Sequence, residues 1–193
     1  MTLTIYKFNY NFYGPTYSLC FSLSEETTKQ IDEWNLSLDK TVLDEQLKTG
    51  SFRGKFPIDD DEKLLLGKMK EDGIIQPYYG FMNARACIYT FQILYKSCKI
   101  EINHTVMEQK IFIEEPVSIK RLKLLGALSN PKRGFMMKKQ EYKTLSKWKF
   151  WNPIDEFTPR YIYTFSPTTI GVGIKILDIN TNETIDITDY NDW

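Results

Sequence analysis

The sequence predicts a single α+β domain, residues 1–193, with a mainly antiparallel sheet and short helices. Three observations indicate this class. The chain opens with two alternating apolar stretches around a Gly-Pro turn, continues with segments of helical spacing, and closes with three β-prone runs between turn residues. A chain of 193 residues buries about 70% of its unfolded surface, so neither a disulfide nor a metal is needed for stability.

The first element is an N-terminal β-hairpin. Aromatic and aliphatic residues from Leu3 to Phe12 indicate one strand, and Gly14-Pro15 indicates the turn. In the stretch from Tyr17 to Leu23, apolar and small polar residues alternate strictly, as expected for a strand with one buried face.

Helical spacing follows the hairpin. Ser24 is a good cap residue, and the acids that follow it favour a helix N-terminus. We expect a short helix with Ile31, Trp34 and Leu38 on its apolar side, then a second helical piece over residues 39–48 that Gly50 ends. Residues 51–58, which include glycine and proline, are predicted to be an ordered loop.

Asp59, Asp60 and Asp61 precede a leucine-rich stretch that Asp72-Gly73 closes. Three consecutive acids can hold a metal, but they also interact favourably with the N-terminal end of a helix dipole. We interpret them as a helix start and predict no metal and no cofactor.

The middle of the chain contains three further predicted strands. Residues 84–95 are β-prone, residues 99–106 alternate, and Ile111 to Ile113 extend the series until Glu114-Glu115-Pro116 ends it. A helix that Ser118 caps is then expected, with Leu122, Leu125 and Leu128 as its apolar residues and Asn130-Pro131 as its end.

Residues Tyr161 to Tyr190 predict a three-stranded antiparallel meander. Residues 161–165 form a β-branched and aromatic run, and Ile170 to Ile176 alternate with small or polar residues. After the turn-forming cluster at residues 180–183, Ile185 and Ile187 alternate with polar neighbours in the returning strand.

Charge is segregated along the chain although the formal net charge is zero. Residues 117–151 contain ten Lys or Arg and one acid, Glu141, whereas residues 152–193 contain two basic and seven acidic residues. Such segregation suits either internal pairing or recognition of a charged partner.

Three cysteines, Cys20, Cys87 and Cys98, lack metal-ligand spacing and form no close pair, and their odd number indicates a reducing compartment. Cys87 and Cys98 lie in apolar runs, so we expect both to be buried. The N-terminus does not resemble a signal peptide, and no apolar run of 18 residues is present. A cytoplasmic protein that does not engage a membrane is predicted.

Motifs for nucleotide, metal or acyl-transfer chemistry are absent from the sequence, and Gly171-Val172-Gly173 lacks the third glycine of a dinucleotide cradle. The single histidine, His104, lies three residues after Glu101. An enzyme that uses this pair is a third class of function, but a lone histidine on a strand is more often structural.

The segment 138–151 interleaves basic and aromatic side chains, a pattern that suits contact with phosphates and stacked bases. The alternative function is therefore nucleic-acid binding through Lys138, Lys139, Lys143, Lys147, Trp148 and Lys149. A competing interpretation is a solvated basic helix that Leu145, Trp148 and Trp151 anchor in the core.

The end of the chain resembles bacterial immunity proteins of polymorphic or contact-dependent growth inhibition toxin systems. The resemblance lies in Phe165 to Thr168, Gly171 to Ile176 and Asp186 to Trp193. It implies a cytoplasmic, non-catalytic protein that neutralises a cognate toxin domain by tight binding, with a nuclease as one candidate toxin. Aromatic and acidic residues suit contact with a basic toxin surface. The candidate contact residues are Asp59, Asp60, Asp61, Tyr78, Tyr79, Asp186, Asp189, Tyr190 and Asp192.

Overall fold

A computed structural model describes residues 2–8, 17–77, 87–122, 134–148, 159–168 and 170–192. The chain divides into two compact units, one formed by Met1–Thr28 with Cys87–Trp193 and the other by Lys29–Ala86. We describe each unit by itself, and the single-domain organisation stays a prediction.

The described residues form eleven strands and three helices. The strands are β1 (Leu3–Phe8), β2 (Tyr17–Ser22), β3 (Ser51–Phe52), β4 (Phe56–Pro57), β5 (Cys87–Leu94), β6 (Ser97–His104), β7 (Gln109–Leu122), β8 (Gly134–Lys138), β9 (Tyr161–Pro167), β10 (Val172–Asp178) and β11 (Glu183–Asp186). The helices are α1 (Glu25–Thr49), α2 (Asp60–Glu71) and α3 (Lys139–Trp148).

Within the described part of the first unit, one sheet of nine strands has the order β11-β10-β9-β5-β6-β7-β1-β2-β8. All neighbouring strands are antiparallel except β1 and β7, which are parallel. The predicted α+β class, the N-terminal hairpin β1-β2 and the C-terminal meander β9-β10-β11 are confirmed. The predicted turn of the hairpin, Gly14-Pro15, lies outside the described residues.

Aromatic side chains fill the core of this sheet. The ring of Phe21 on β2 lies 5.2 Å from Phe91 on β5 and 5.4 Å from Phe165 on β9. Phe135 on β8 lies 5.3 Å from Phe165. Strands near opposite ends of the strand order therefore contact each other, so the sheet curls and its concave face encloses the core. Tilted ring pairs at these separations add to the stabilisation from buried area.

Strand β7 is longer than predicted, and the expected end at Pro116 and the helix that starts at Ser118 are wrong. Residues Gln109–Pro116 pair with β6, and Val117–Leu122 continue the strand in parallel pairing with β1. Proline is tolerated because this is where β7 changes partner, and its missing N–H does not interrupt a ladder between described strands. The predicted helical positions Leu125 and Leu128 lie outside the described residues.

The two expected helical pieces form the single helix α1, because no glycine or proline interrupts residues 25–49, and the helix from Lys29 onward belongs to the second unit. Gly50, with φ of 78°, ends the helix as predicted. The expected loop at residues 51–58 contains a short hairpin, in which the stacked rings of Phe52 and Phe56 pack 6.4 Å apart. No helix of the described residues is long and apolar enough to span a membrane.

Candidate partner-binding surfaces

The acidic start of α2 has the helix-capping role that the sequence predicts. Asp59 Oδ1 accepts a hydrogen bond from the Glu62 amide at 2.8 Å, and Glu62 Oε2 accepts one from the Asp59 amide at 3.0 Å. This reciprocal capping box engages Asp59 within the helix terminus. Asp60 and Asp61 are exposed and remain accessible to a partner. Among the described residues, no three His, Cys, Asp or Glu side chains are arranged so that they could hold a metal ion.

Three of the predicted contact positions have no structural description. Tyr78 and Tyr79, proposed for partner binding, and Lys149, proposed for nucleic-acid binding, lie outside the described residues.

The C-terminal acidic turn, defined here as residues 186–192, is a densely hydrogen-bonded surface. Asp186 Oδ1 accepts from the amide and the hydroxyl of Thr188, at 3.0 and 2.6 Å, and Asp186 Oδ2 accepts from the hydroxyl of Tyr190 at 3.0 Å. Asp189 Oδ1 accepts from the Asn191 amide and side chain, both at 3.2 Å. Asp192 closes the turn within the 3-10 helix Tyr190–Asp192.

These contacts favour the ionised form of Asp186. Burial alone would raise the pKa of Asp186, but hydrogen bonds from Thr188 and Tyr190, together with the charge of Lys175, outweigh it and lower the pKa. Tyr190 is 59% exposed although its hydroxyl is fixed on Asp186. The turn therefore presents an aromatic ring beside a carboxylate that stays ionised at neutral pH.

Glu141 connects this turn to α3, which the sequence analysis did not foresee. Its carboxylate is almost completely buried and accepts from the Lys138 amide at 2.7 Å and from the Asp189 amide at 3.3 Å. Burial raises its pKa, although the two amides favour the ionised form. The sequence signal that could have indicated this role is the position of Glu141, which is the single acid of the basic segment 117–151 and lies in the first turn of a helix.

The lysines of α3 form a row on the side opposite the core. Lys139, Lys143 and Lys147 are exposed and four residues apart, so about 6 Å of helix axis separates neighbours. Tyr142 and Leu145 are buried. Trp148 is half-buried, with its ring 6.2 Å from that of Tyr161, so it anchors the helix as the structural interpretation expects.

His104 and Glu101 lie on opposite faces of β6 because their separation is an odd number of residues. His104 is buried, and its Nδ1 accepts from the Met107 amide at 3.3 Å. Glu101 lies on the outer face and forms an ion pair with Lys110 at 2.5 Å. The structure does not bring the two side chains together.

Glu115 is a buried carboxylate that the sequence did not distinguish. Glu115 is 2% exposed, and neither of its carboxylate oxygens has a hydrogen-bond partner among the described residues. It lies opposite Cys98 in the β6-β7 pairing. Burial and the nearby charge of Glu115 raise the pKa of Cys98 to about 12, and burial raises that of Cys20 to about 11. Cys20, Cys87 and Cys98 are all buried and none of the three forms a disulfide, so the predicted burial of Cys87 and Cys98 is confirmed.

Comparison with protein-family models, curated proteins and solved structures found no match for this chain. The resemblance to immunity proteins therefore stays a prediction.

Two acidic surfaces follow from the predicted contact residues. In the C-terminal acidic turn, the Tyr190 hydroxyl donates to Asp186, and Asp189 bonds separately, accepting from Asn191 and donating its amide to Glu141. The start of α2 presents Asp60 and Asp61 in the other compact unit. The first surface combines fixed acids with an exposed aromatic ring, a composition that suits a binding hot spot.

Proposed function

We propose that this chain is a cytoplasmic, non-catalytic immunity protein that binds and neutralises a cognate bacterial toxin domain. The observation that carries the proposal is the C-terminal acidic turn, where Tyr190 is largely exposed beside the ionised Asp186. Fixed acids steer and orient a basic partner, and a tyrosine held by its hydroxyl loses little conformational entropy on binding.

A basic surface on the toxin is the expected complement. Residues 152–193 carry five more acids than bases, and the carboxylates of Asp186 and Asp189 already accept hydrogen bonds within the turn. Toxin nucleases present basic surfaces to their nucleic-acid substrates, so a nuclease domain is one candidate for the partner.

The experiment is a survival assay. The C-terminal fragment of a large secreted protein encoded beside this chain is expressed alone and together with it, and co-expression is expected to restore growth. Tyr190→Ala should weaken binding to the fragment by about 2 kcal/mol, roughly thirtyfold, and reduce protection.

Tyr95→Ala is the matched control, because Tyr95 is 92% exposed in the turn between β5 and β6, away from the acidic turn. Equal losses for the two variants would exclude the acidic turn as the contact surface. If the toxin fragment still kills the cells when this chain is co-expressed, the immunity function is refuted.

The exposed lysine row of α3 supports nucleic-acid binding as a second candidate function. The single acid of the helix, Glu141, is buried, so it does not neutralise the row at the surface. Lys143→Glu with Lys147→Glu should abolish salt-dependent retention on single-stranded DNA or RNA, whereas Lys29→Glu with Lys40→Glu on α1 should not. Absence of retention by the unmodified protein would exclude this candidate.

A further inference from the structure

Among the described strands, only β6 pairs with the first half of β7. Gln109–Pro116 pair with β6, and the pairing with β1 on the other side begins at Val117. Among the described residues, no strand covers the second edge of Lys110–Glu114. An uncovered edge of this kind is a template for pairing with another strand.

The backbone groups at this edge can be assigned from one hydrogen bond. The Val117 amide donates to the Lys96 carbonyl at 3.0 Å, on the side of β6. Backbone groups alternate in direction along a strand, so Ile111 and Ile113 also point to β6. Lys110, Phe112 and Glu114 therefore direct their N–H and C=O groups towards the open edge.

The sequence along this edge is self-complementary. Lys110-Ile111-Phe112-Ile113-Glu114 has a base at one end, an acid at the other and an aromatic residue at the centre. In an antiparallel pair of two copies centred on Phe112, Lys110 faces Glu114 of the second copy, and Ile111 faces its Ile113. We propose that the chain forms a two-fold symmetric dimer through this edge of β7.

The backbone register fits this arrangement. In this register Lys110, Phe112 and Glu114 of one copy face Glu114, Phe112 and Lys110 of the other. These are also the residues whose N–H and C=O groups point to the open edge. Each facing pair therefore exchanges two hydrogen bonds, about six in all. Glu108, with φ of 54°, ends the strand at one side, and Pro116 has no N–H to donate at the other. The dimer ladder is thus confined to the part of β7 that β1 does not cover.

The side chains also fit. Phe112 is 71% exposed on the outer face, and contact with the same residue of the second copy would cover it. Lys110 forms an ion pair with Glu101 at 2.5 Å, and Glu114 Oε1 accepts from the Ser97 hydroxyl at 2.7 Å, both partners being on β6. Lys110 and Glu114 are nevertheless exposed, so a second copy can reach both charges. Each favourable cross-strand pair contributes only a few tenths to about 1 kcal/mol, so we expect a weak, micromolar dimer.

Sedimentation of the full chain across a wide concentration range tests the proposal, which does not depend on the toxin. Reversible dimerisation is expected. Lys110→Glu or Glu114→Lys alone places like charges opposite each other and should weaken the dimer at least about tenfold. An equimolar mixture of the two variants should restore it as a heterodimer, and Glu183→Lys, on edge strand β11, should leave it unchanged.

Amide hydrogen exchange of the unmodified protein gives a readout that needs no variant. Protection of Lys110, Phe112 and Glu114 should rise with protein concentration, whereas Ile111 and Ile113 should be protected throughout. A monomer at every concentration would overturn the proposal, as would a dimer that neither charge reversal weakens. Concentration-independent protection of the three amides would also overturn it, because another part of the same chain would then cover the edge.

Discussion

Glu115 and Asp178 show how hydrogen bonding determines the cost of burying a single carboxylate. Asp178 is 4% exposed, but Arg160 donates to its Oδ2 through Nε at 2.8 Å, and this hydrogen bond lowers its pKa. Glu115 is equally buried and has no hydrogen-bond partner among the described residues. A buried polar group without a partner loses its hydration and gains nothing in return.

Glu115→Met is therefore expected to stabilise the protein. Methionine has a similar length and loses no hydration of a charged group, so the free energy of unfolding should rise by about 1–3 kcal/mol in chemical denaturation. Glu183→Met makes the same chemical change at an exposed position on β11 and should alter stability by less than about 0.5 kcal/mol. A clear loss of stability in Glu115→Met would show that the carboxylate has a stabilising partner.

At the residue scale, the sequence predicted the helix caps correctly, because the partner of a cap lies only a few residues further along the chain. The cap at Ser24 is confirmed, because its Oγ accepts from the Thr27 amide at 3.1 Å, and Asp59 forms the predicted helix start. Burial of Glu115 was not predictable. Glu114 and Glu115 are equivalent in composition, and only the strand continuing through Pro116 directs Glu115 inward.

Helix α3 depends on a buried hydrogen-bond acceptor. Glu141 accepts from the amides of Lys138 on β8 and of Asp189 after β11, so one side chain holds together three parts of the first unit. Glu141→Ala would leave two amides without their acceptor, and we expect a loss of about 2 kcal/mol or more. Amide exchange at Asp189 should accelerate, whereas Gln140→Ala, at an exposed neighbour, should change neither quantity.

The loss caused by Glu141→Ala should depend on pH. Because burial raises the native pKa of Glu141 above 4.5, the native state retains this proton when the unfolded chain has lost it. The stabilising contribution is complete below the unfolded pKa and declines as pH rises through the native one. Denaturation at pH 4 and pH 8 should therefore show the larger loss at pH 4, and the reverse order would contradict the assigned burial.

At the element scale, local patterns predicted the hairpin, helix α2 and the meander, which the structure confirms. They were wrong where a long-range partner decides. The Ser118 cap and the leucine spacing predict a helix that begins after Ser118, yet Val117–Leu122 pair with β1 and form a strand. Tertiary context overrides local propensity in such segments.

At the scale of the whole chain, strand order was beyond sequence patterns. The parallel pair β1-β7 joins Leu3 to Val117, and the core joins Phe21 to Phe165, contacts between residues far apart in the sequence. Periodicity shows which face of a strand is buried but not which strand lies beside it. The sequence likewise predicted Asp186 and Tyr190 as contact residues, but it predicted neither their mutual hydrogen bond nor the one from the Asp189 amide to Glu141.

One side chain links the lysine row of α3 to the C-terminal acidic turn. Glu141, in the first turn of α3, accepts hydrogen bonds from the amide of Lys138 and from the amide of Asp189 in the turn. The proposed toxin contact uses the acidic turn and the proposed dimer uses the open edge of β7, so the two interactions use different residues. Binding to a toxin and dimerisation should therefore respond to different substitutions.

The most direct test is a calorimetric titration of the purified chain with the C-terminal toxin fragment encoded beside it. We expect a saturable complex with a dissociation constant of about nanomolar order. Tyr190→Ala should weaken this complex, and Tyr95→Ala should not. Absence of association between the two folded proteins would contradict this expectation.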